Sequence, residues 1–425
     1  GQERFTDAHG DGIRLTRRFP VAIQPLAAEW PVSIYDEHEF IRIEVALRNT
    51  GEEPITVRRI FPFVTGAWWA NDALKLHSRT SDFSVYKNGW QSWSYAGGMP
   101  VGTADLRPHQ QTLVAWHSPG GADPRQPVTG KVDVVSESVA MVGHADQREA
   151  FVAGFLSADT WLGQIYTMRE EGACAAVVLT DEAVLQPGER LVTPPLALAL
   201  GAQQTLLSTY AAAVAREGHA RGGGALTPTG WSSWYYYYSR VTEEDILENL
   251  TALRGLRGGL PIRLVQIEDG YETAVGDWLT ANEKFPHGMK SLAERIQSAG
   301  YRPALWLAPF TVAANSLLAE EHPEWLVHDR DGRPADGGKN WDTQLYGLDT
   351  SHPGARAWLR QVITTLVRDW GFDYLKLDFL ASGALLGERY DPSITRAGAL
   401  REGLALIREA AGERTFLLGC GCPML

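Results

Sequence analysis

The residues best suited to chemistry in this 425-residue chain are carboxylates that follow short apolar runs. Asp378 closes Leu375-Lys376-Leu377-Asp378, and Glu268-Asp269 closes Leu264-Val265-Gln266-Ile267-Glu268-Asp269. Trp306 stands late in Pro303-Ala304-Leu305-Trp306-Leu307, and Cys420 follows Leu417-Leu418-Gly419. In proteins built from alternating strands and helices, reactive groups gather at the C-terminal ends of the strands. Acidic groups and an aromatic there, with no metal-ligand spacing and no glycine-rich phosphate loop, suit glycoside cleavage. That chemistry uses two carboxyl groups, one of them a nucleophile in retaining enzymes. Lys376 lies two residues before Asp378, so strand alternation places both side chains on one side. An ammonium nearby favours the charged form that a nucleophilic carboxylate needs.

Each of these residues also has a plain structural reading. Asp378 reads equally as a strand-end cap in an ion pair with Lys376. Glu268-Asp269 reads as a solvated acidic turn before Gly270, Trp306 as core, and Cys420 as a small buried hydrophobe.

The elements that must position them change character along the chain. Residues 40–47 alternate apolar and polar, Asn49-Thr50-Gly51 interrupts, and Ile55-Thr56-Val57 resumes in extended form. A further loop is expected at 119–124, where prolines flank glycines. Strands, turns and little helical period predict an antiparallel β-sandwich over 1–221, ending in a helix at about 205–216. Arg221-Gly222-Gly223-Gly224 is a flexible boundary by composition.

From 222 to 425 strand and helix alternate. Strands are expected at 229–234, 262–267, 303–307, 374–379 and 415–419. Thr242 caps a helix whose first turn is acidic and whose stripe is Ile246, Leu250 and Leu253. A second helix runs through Leu292 and Ile296 to Gly300. After Pro353, Leu359, Val362, Ile363, Leu366, Val367 and Trp370 fall on one helical face, and Gly371 ends it. A fourth helix covers about 400–410. Such a repeat builds a doubly wound sheet or a (β/α)8 barrel. About five strands precede Leu425 and a closed barrel needs eight, so the expected barrel is incomplete in this chain.

Composition narrows the partners. A net charge of -12 argues against nucleic acid and anionic membranes and suits a neutral substrate. No apolar run is long enough to span a membrane, and the first residues do not read as a secretory signal. Cys174, Cys420 and Cys422 are too few for a disulfide framework or a four-ligand zinc site, so a cytoplasmic location is expected, with no metal and no cofactor. Fifteen Trp and 14 Tyr are mostly core, with a few available to stack on pyranose rings.

In order along the chain, several stretches match a known family. They are Asn88-Gly89-Trp90-Gln91-Ser92-Trp93, Thr227-Pro228-Thr229-Gly230-Trp231-Ser232-Ser233-Trp234-Tyr235, and Gln266-Ile267-Glu268-Asp269-Gly270-Tyr271-Glu272. Gly276-Asp277-Trp278-Leu279, Trp306-Leu307-Ala308-Pro309-Phe310, Asn340-Trp341, Leu375-Lys376-Leu377-Asp378-Phe379 and Leu418-Gly419-Cys420-Gly421-Cys422-Pro423 follow. The chain thereby resembles the α-galactosidases of glycoside hydrolase family thirty-six. The resemblance implies a multidomain α+β chain with a β-sandwich followed by a catalytic (β/α)8 barrel. It implies that Asp378 is the nucleophile of a retaining reaction on a terminal α-galactoside, and that Lys376 binds sugar hydroxyls. Trp306 and Cys420 would line the same pocket, Trp90 would reach its mouth, and Trp234 and Tyr235 would lie beside it at the end of the first strand.

Two departures accompany this resemblance. The family carries paired aspartates that grip O4 and O6 of galactose where this chain has Glu268-Asp269. The family's acid/base aspartate follows a sixth strand, past Leu425, so the stretch as written is not expected to turn over substrate alone. A homo-oligomer partner or a missing C-terminal segment is expected to complete it. A different α-glycosidase, a galactosyl transferase and a non-catalytic sugar-binding fragment are the competing readings.

Overall fold

The computed structural model describes residues 1–21, 25–65, 83–99, 134–144, 149–168, 173–220, 228–256, 259 and 261–423. The loop expected at 119–124 and the boundary at 221–224 lie outside the described residues. The described residues form two compact units, one before 221 and one after 227.

In the first unit the described strands pair antiparallel, in an 11-stranded and a 4-stranded sheet. The pleat explains how one strand serves two layers. Along Val139–His144, Ala140 and Val142 enter one cluster while Val139 and Met141 enter another. The first cluster joins Val85, Phe151, Phe155 and Leu196 of the larger sheet to Ile60, Ile165 and Val178 of the smaller, which makes the pair a sandwich. The second cluster is covered by a helix, Gln203–Glu217, which buries Leu206, Tyr210 and Ala213 at i, i+4 and i+7. Tyr210 Oη donates to the Phe155 carbonyl at 2.6 Å, so its buried hydroxyl is satisfied.

The continuous strand expected at 40–47 is two strands, Phe40–Ile43 and Ala46–Asn49. Both pair with Leu26–Tyr35, and the break falls opposite Trp30 and Pro31. Pro31 has no N–H to donate, so the pair there keeps only one bond, from the Glu44 amide to the Pro31 carbonyl at 3.2 Å. The amide of Val45 donates to the Thr193 hydroxyl at 2.9 Å.

The second unit carries five parallel strands, β1 (Gly230–Ser232), β2 (Leu264–Ile267), β3 (Arg302–Leu307), β4 (Tyr374–Leu377) and β5 (Phe416–Gly419). They lie side by side in chain order. A doubly wound sheet reverses its order at a switch point; this one does not, and unidirectional order is that of a barrel wall. Helices α1 (Glu243–Gly255), α2 (Gly288–Ser298), α3 (Pro353–Thr364) and α4 (Arg396–Ala411) lie between successive strands. Thr242 and Asp245 complete a reciprocal capping box at the start of α1, and Ile246, Leu250 and Leu253 are buried.

Three expectations here need correction. The first strand stops at Ser232; Trp234 and Tyr235 belong to the short helix Trp234–Tyr237 that follows it. The strand expected to reach Phe379 ends at Leu377, because Phe379 adopts a left-handed backbone at φ 51° that no strand accommodates. The α3 stripe runs true through Leu366 but not to Trp370. A π-turn at Thr365–Asp369 inserts extra rotation, leaving Val367 and Trp370 only partly buried.

Leu305, fully buried at the centre of β3, measures how far the parallel sheet depends on its core. Leu305→Ala is expected to cost about 2–5 kcal/mol and to lower Tm by calorimetry. Leu200→Ala, at a position 60% exposed, is expected to leave Tm almost unchanged.

Candidate active site

At the C-terminal edge of the five strands, side chains from β1, β2 and β4 converge on the Glu268 carboxylate. Lys376 Nζ donates to both its oxygens, at 2.9 and 3.2 Å, and the Ser232 hydroxyl donates at 3.2 Å. Gln266 Nε2 also donates to Glu268 Oε1. The Glu268 side chain is only 3% exposed and that of Lys376 16%, so both charges are largely out of water and must compensate each other. Burial by itself would depress the Lys376 ammonium; Glu268 outweighs it, with smaller help from Asp378 and Cys420, and holds the group above its ordinary 10.5. Lys376 therefore spends its hydrogen bonds on Glu268, not on Asp378 as the spacing of two had suggested.

Asp378 lies one residue past β4, buried, and is fixed from two directions. Trp306 Nε1 on β3 donates to Oδ2 at 3.0 Å, and the Phe379 amide donates to Oδ1 at 2.8 Å. The second bond joins a side chain to the next residue's amide, and goes with the left-handed turn at Phe379. Gly421 makes room for it. A Cβ there would stand 3.0 Å from the Phe379 nitrogen and 3.3 Å from Asp378 Oδ1, and Gly421 itself has φ 54°. Cys420 is half-buried at the end of β5, and its amide donates to the Leu377 carbonyl at 2.7 Å.

Asp269 is gripped by a residue to which the sequence assigned no role. Trp341 Nε1 donates to Asp269 Oδ2 at 2.6 Å, and the indole lies against Trp306 (centroids 6.3 Å) and Phe379 (5.2 Å). Trp306 also meets Trp278 edge-on at 5.8 Å. Beside Asp269, burial first and then the Asp269 carboxylate push the Glu272 carboxyl well above the usual carboxylate range, while the Gly270 amide donates to it at 3.2 Å. Asp277, in another matching stretch, caps the helix Leu317–Glu321 by accepting from the Leu317 and Leu318 amides, which is a structural duty.

The structure thus brings Glu268, Asp269, Lys376, Trp306, Asp378 and Cys420 to one edge of the sheet. Trp234 and Tyr235 sit on the helix after β1, where Tyr235 is 83% exposed and Trp234 packs edge-on against Tyr238 at 5.3 Å. Trp90 belongs to the first unit, where it is buried with no partner for its indole N–H among the described residues. Ser232, Gln266, Trp341 and Glu272 join the site although no role had been read for them. The parallel register aligns Ser232 with Gln266, whereas Trp341 and Glu272 lie outside the parallel strands. Among the described residues no group of His, Cys, Asp and Glu is arranged to hold a metal ion.

The raised carboxyl of Glu272 has a stability consequence of defined sign. The folded state holds this proton more tightly than the unfolded chain, so the stabilisation is full below the ordinary value of 4.5 and is lost as pH rises towards the folded value. Glu272→Gln mimics the protonated form at every pH. The variant and wild type are expected to have equal Tm near pH 4, with the variant pulling ahead as pH rises. A constant difference across pH would remove Glu272 from this role.

The model of the melibiase family matches residues 248–395. The A type blood α-D-galactosamine galactosaminidase of Flavonifractor plautii is 32% identical over 174 residues, 39% of this chain and 15% of the relative. α-Galactosidase AgaA of Geobacillus stearothermophilus is 27% identical over 225 residues, 48% of this chain and 29% of the relative. The matches therefore span less than a third of either curated relative. The structure of TtGalA, an α-galactosidase from Thermus thermophilus, is 26% identical with a TM-score of 0.66, and the match covers 100% of this chain and 72% of that one. The structure of AgaA superposes with a TM-score of 0.63 at 19% identity, over 96% of this chain and 55% of that one, a likeness of fold. Residues 248–395 thus form a melibiase segment, and the chain that carries them is a relative of the family thirty-six α-galactosidases.

Proposed function

We propose that the second unit is the N-terminal part of a (β/α)8 barrel whose site removes terminal α-linked galactose with retention. The observation that carries this reading is Asp378 itself: a buried carboxylate held at both oxygens by neutral N–H donors, next to a Glu268–Lys376 pair able to bind hydroxyls. TtGalA is known in complex with p-nitrophenyl α-D-galactopyranoside and with stachyose, which supports the same class of substrate here.

In this reading an oxygen of Asp378 attacks C1 and forms a glycosyl ester as the C1–oxygen bond to the leaving group breaks. The departing oxygen takes a proton from a general acid. Water then attacks C1, gives a proton back to that group and releases galactose and free Asp378. By the resemblance, the general acid is expected after a sixth strand, downstream of Leu425. Asp378 is therefore best read with an aryl α-galactoside whose leaving group needs little protonation. Asp378→Asn in the full-length protein is expected to lower turnover by at least about a thousandfold while galactose binding persists. Activity within threefold of wild type would remove Asp378 from the role.

A second reading, an α-glycosidase for a different sugar, is favoured by one observation. Glu268 reaches Lys376 although a strand lies between theirs, and it carries one methylene, about 1.5 Å of reach, more than Asp. Glu268→Asp would release the Lys376 ammonium towards ligand. With galactose as the true substrate, Glu268→Asp is expected to keep or raise kcat/KM on an α-galactoside. A large loss would show a pocket shaped around glutamate and would favour the second reading.

A further inference from the structure

Trp341 occupies an unusual place in the backbone. The short strands Lys339–Asn340 and Thr343–Gly347 pair antiparallel with Asn340 opposite Thr343, so Trp341 and Asp342 are the two residues of the hairpin loop. Both are left-handed, at φ 50° and 57°. Two left-handed residues in a two-residue loop make the tight turn for which Asn-Gly or Asp-Gly is the usual sequence. A bulky side chain at φ > 0 is strained, and such strain persists where the surroundings over-determine it, often at binding sites.

What over-determines it is contact with the site. The indole N–H holds Asp269 at 2.6 Å, and the ring packs on Phe379, itself left-handed beside Asp378, and near Trp306, which holds Asp378. The indole remains only half-buried. A flat apolar face at the rim, fixed in orientation by a carboxylate that faces the same site, has the chemistry to receive the C–H face of a pyranose ring.

We infer that Trp341 is a sugar-contacting residue, stacking on the bound pyranose while its N–H orients Asp269, and that the hairpin's strain is tolerated to place it there. The inference rests on the galactoside site proposed above. Affinity and stability separate it from a structural role because they move in opposite directions. Trp341→Asn suits the turn and removes the ring; Trp341→Phe keeps a ring in the strained turn and removes the N–H.

Isothermal titration with methyl α-D-galactoside and calorimetric Tm, both on the full-length protein, test it. Affinity is expected to fall from wild type to Trp341→Phe to Trp341→Asn, by more than tenfold in the last, while Trp341→Asn melts at or above the wild-type temperature. Affinity in Trp341→Asn within twofold of wild type, or affinity and Tm falling together, would reduce Trp341 to a structural residue. A wild type that binds galactoside while the variants bind equally well overturns this inference alone. A wild type that binds none overturns the galactoside reading and this inference with it.

Discussion

Strands β2 and β4 are not neighbours; β3 runs between them, so the two lie roughly 9–10 Å apart. Glu268 and Lys376 nevertheless meet at 2.9 Å, because both side chains are long enough to reach across the end of β3. Two buried charges of this kind are stabilising only when the geometry is good and the remaining polar valences are met. Ser232 from β1 and Gln266 from β2 meet those of Glu268. The pair therefore ties three of the five strands at their C-terminal ends. It also locks register, since a slip of one residue in β2 or β4 would turn one charge to the other face and leave its partner buried and alone. Removing either partner alone would cost about 3–5 kcal/mol for the same reason.

With the strand ends tied, the backbone beyond them can carry conformations that would not persist in isolation. Phe379 and Trp341 are both bulky and left-handed, and their rings meet at 5.2 Å. Phe379 is turned so that its amide meets Asp378; Trp341 is turned so that its indole meets Asp269. The two strained residues thus fix the two acidic groups and brace each other. That coupling connects local backbone cost to the orientation of the site.

Much of this could be read in the sequence. Carboxylates after apolar runs pointed to the right strand ends, and the Thr242–Asp245 box and the α1 stripe followed from local rules. What escaped was whatever depended on a partner distant in sequence. Pro31 interrupts the pairing at Glu44, thirteen residues further on, visible only once Leu26–Tyr35 is known to pair with that stretch. Lys376 is two residues from Asp378 but bonds Glu268, which is 108 residues away, because the long reach across β3 suits its side chain. The hairpin at Trp341 carries none of the Asn-Gly chemistry by which such turns are recognised, since tertiary contacts hold it instead. The π-turn after α3 likewise leaves no mark in a hydrophobic period that assumes uniform rotation.

Three of the four buried carboxyl groups at this edge, Asp269 aside, are compensated by different means. Glu268 faces a cation, Lys376, and its oxygens are already occupied by four donated bonds from three side chains. Burial and the neighbouring Asp269 raise the pKa of Glu272, which favours its protonated form. A carboxylate engaged with an ammonium in this way is poorly placed to form a new covalent bond, and a carboxyl whose pKa is raised holds its nucleophilic charge less readily. Asp378 accepts a neutral N–H on each oxygen, from Trp306 and from the Phe379 amide, and the Lys376 ammonium interacts with it but donates its bonds to Glu268. Of the three, it is the one whose surroundings suit the nucleophile proposed above.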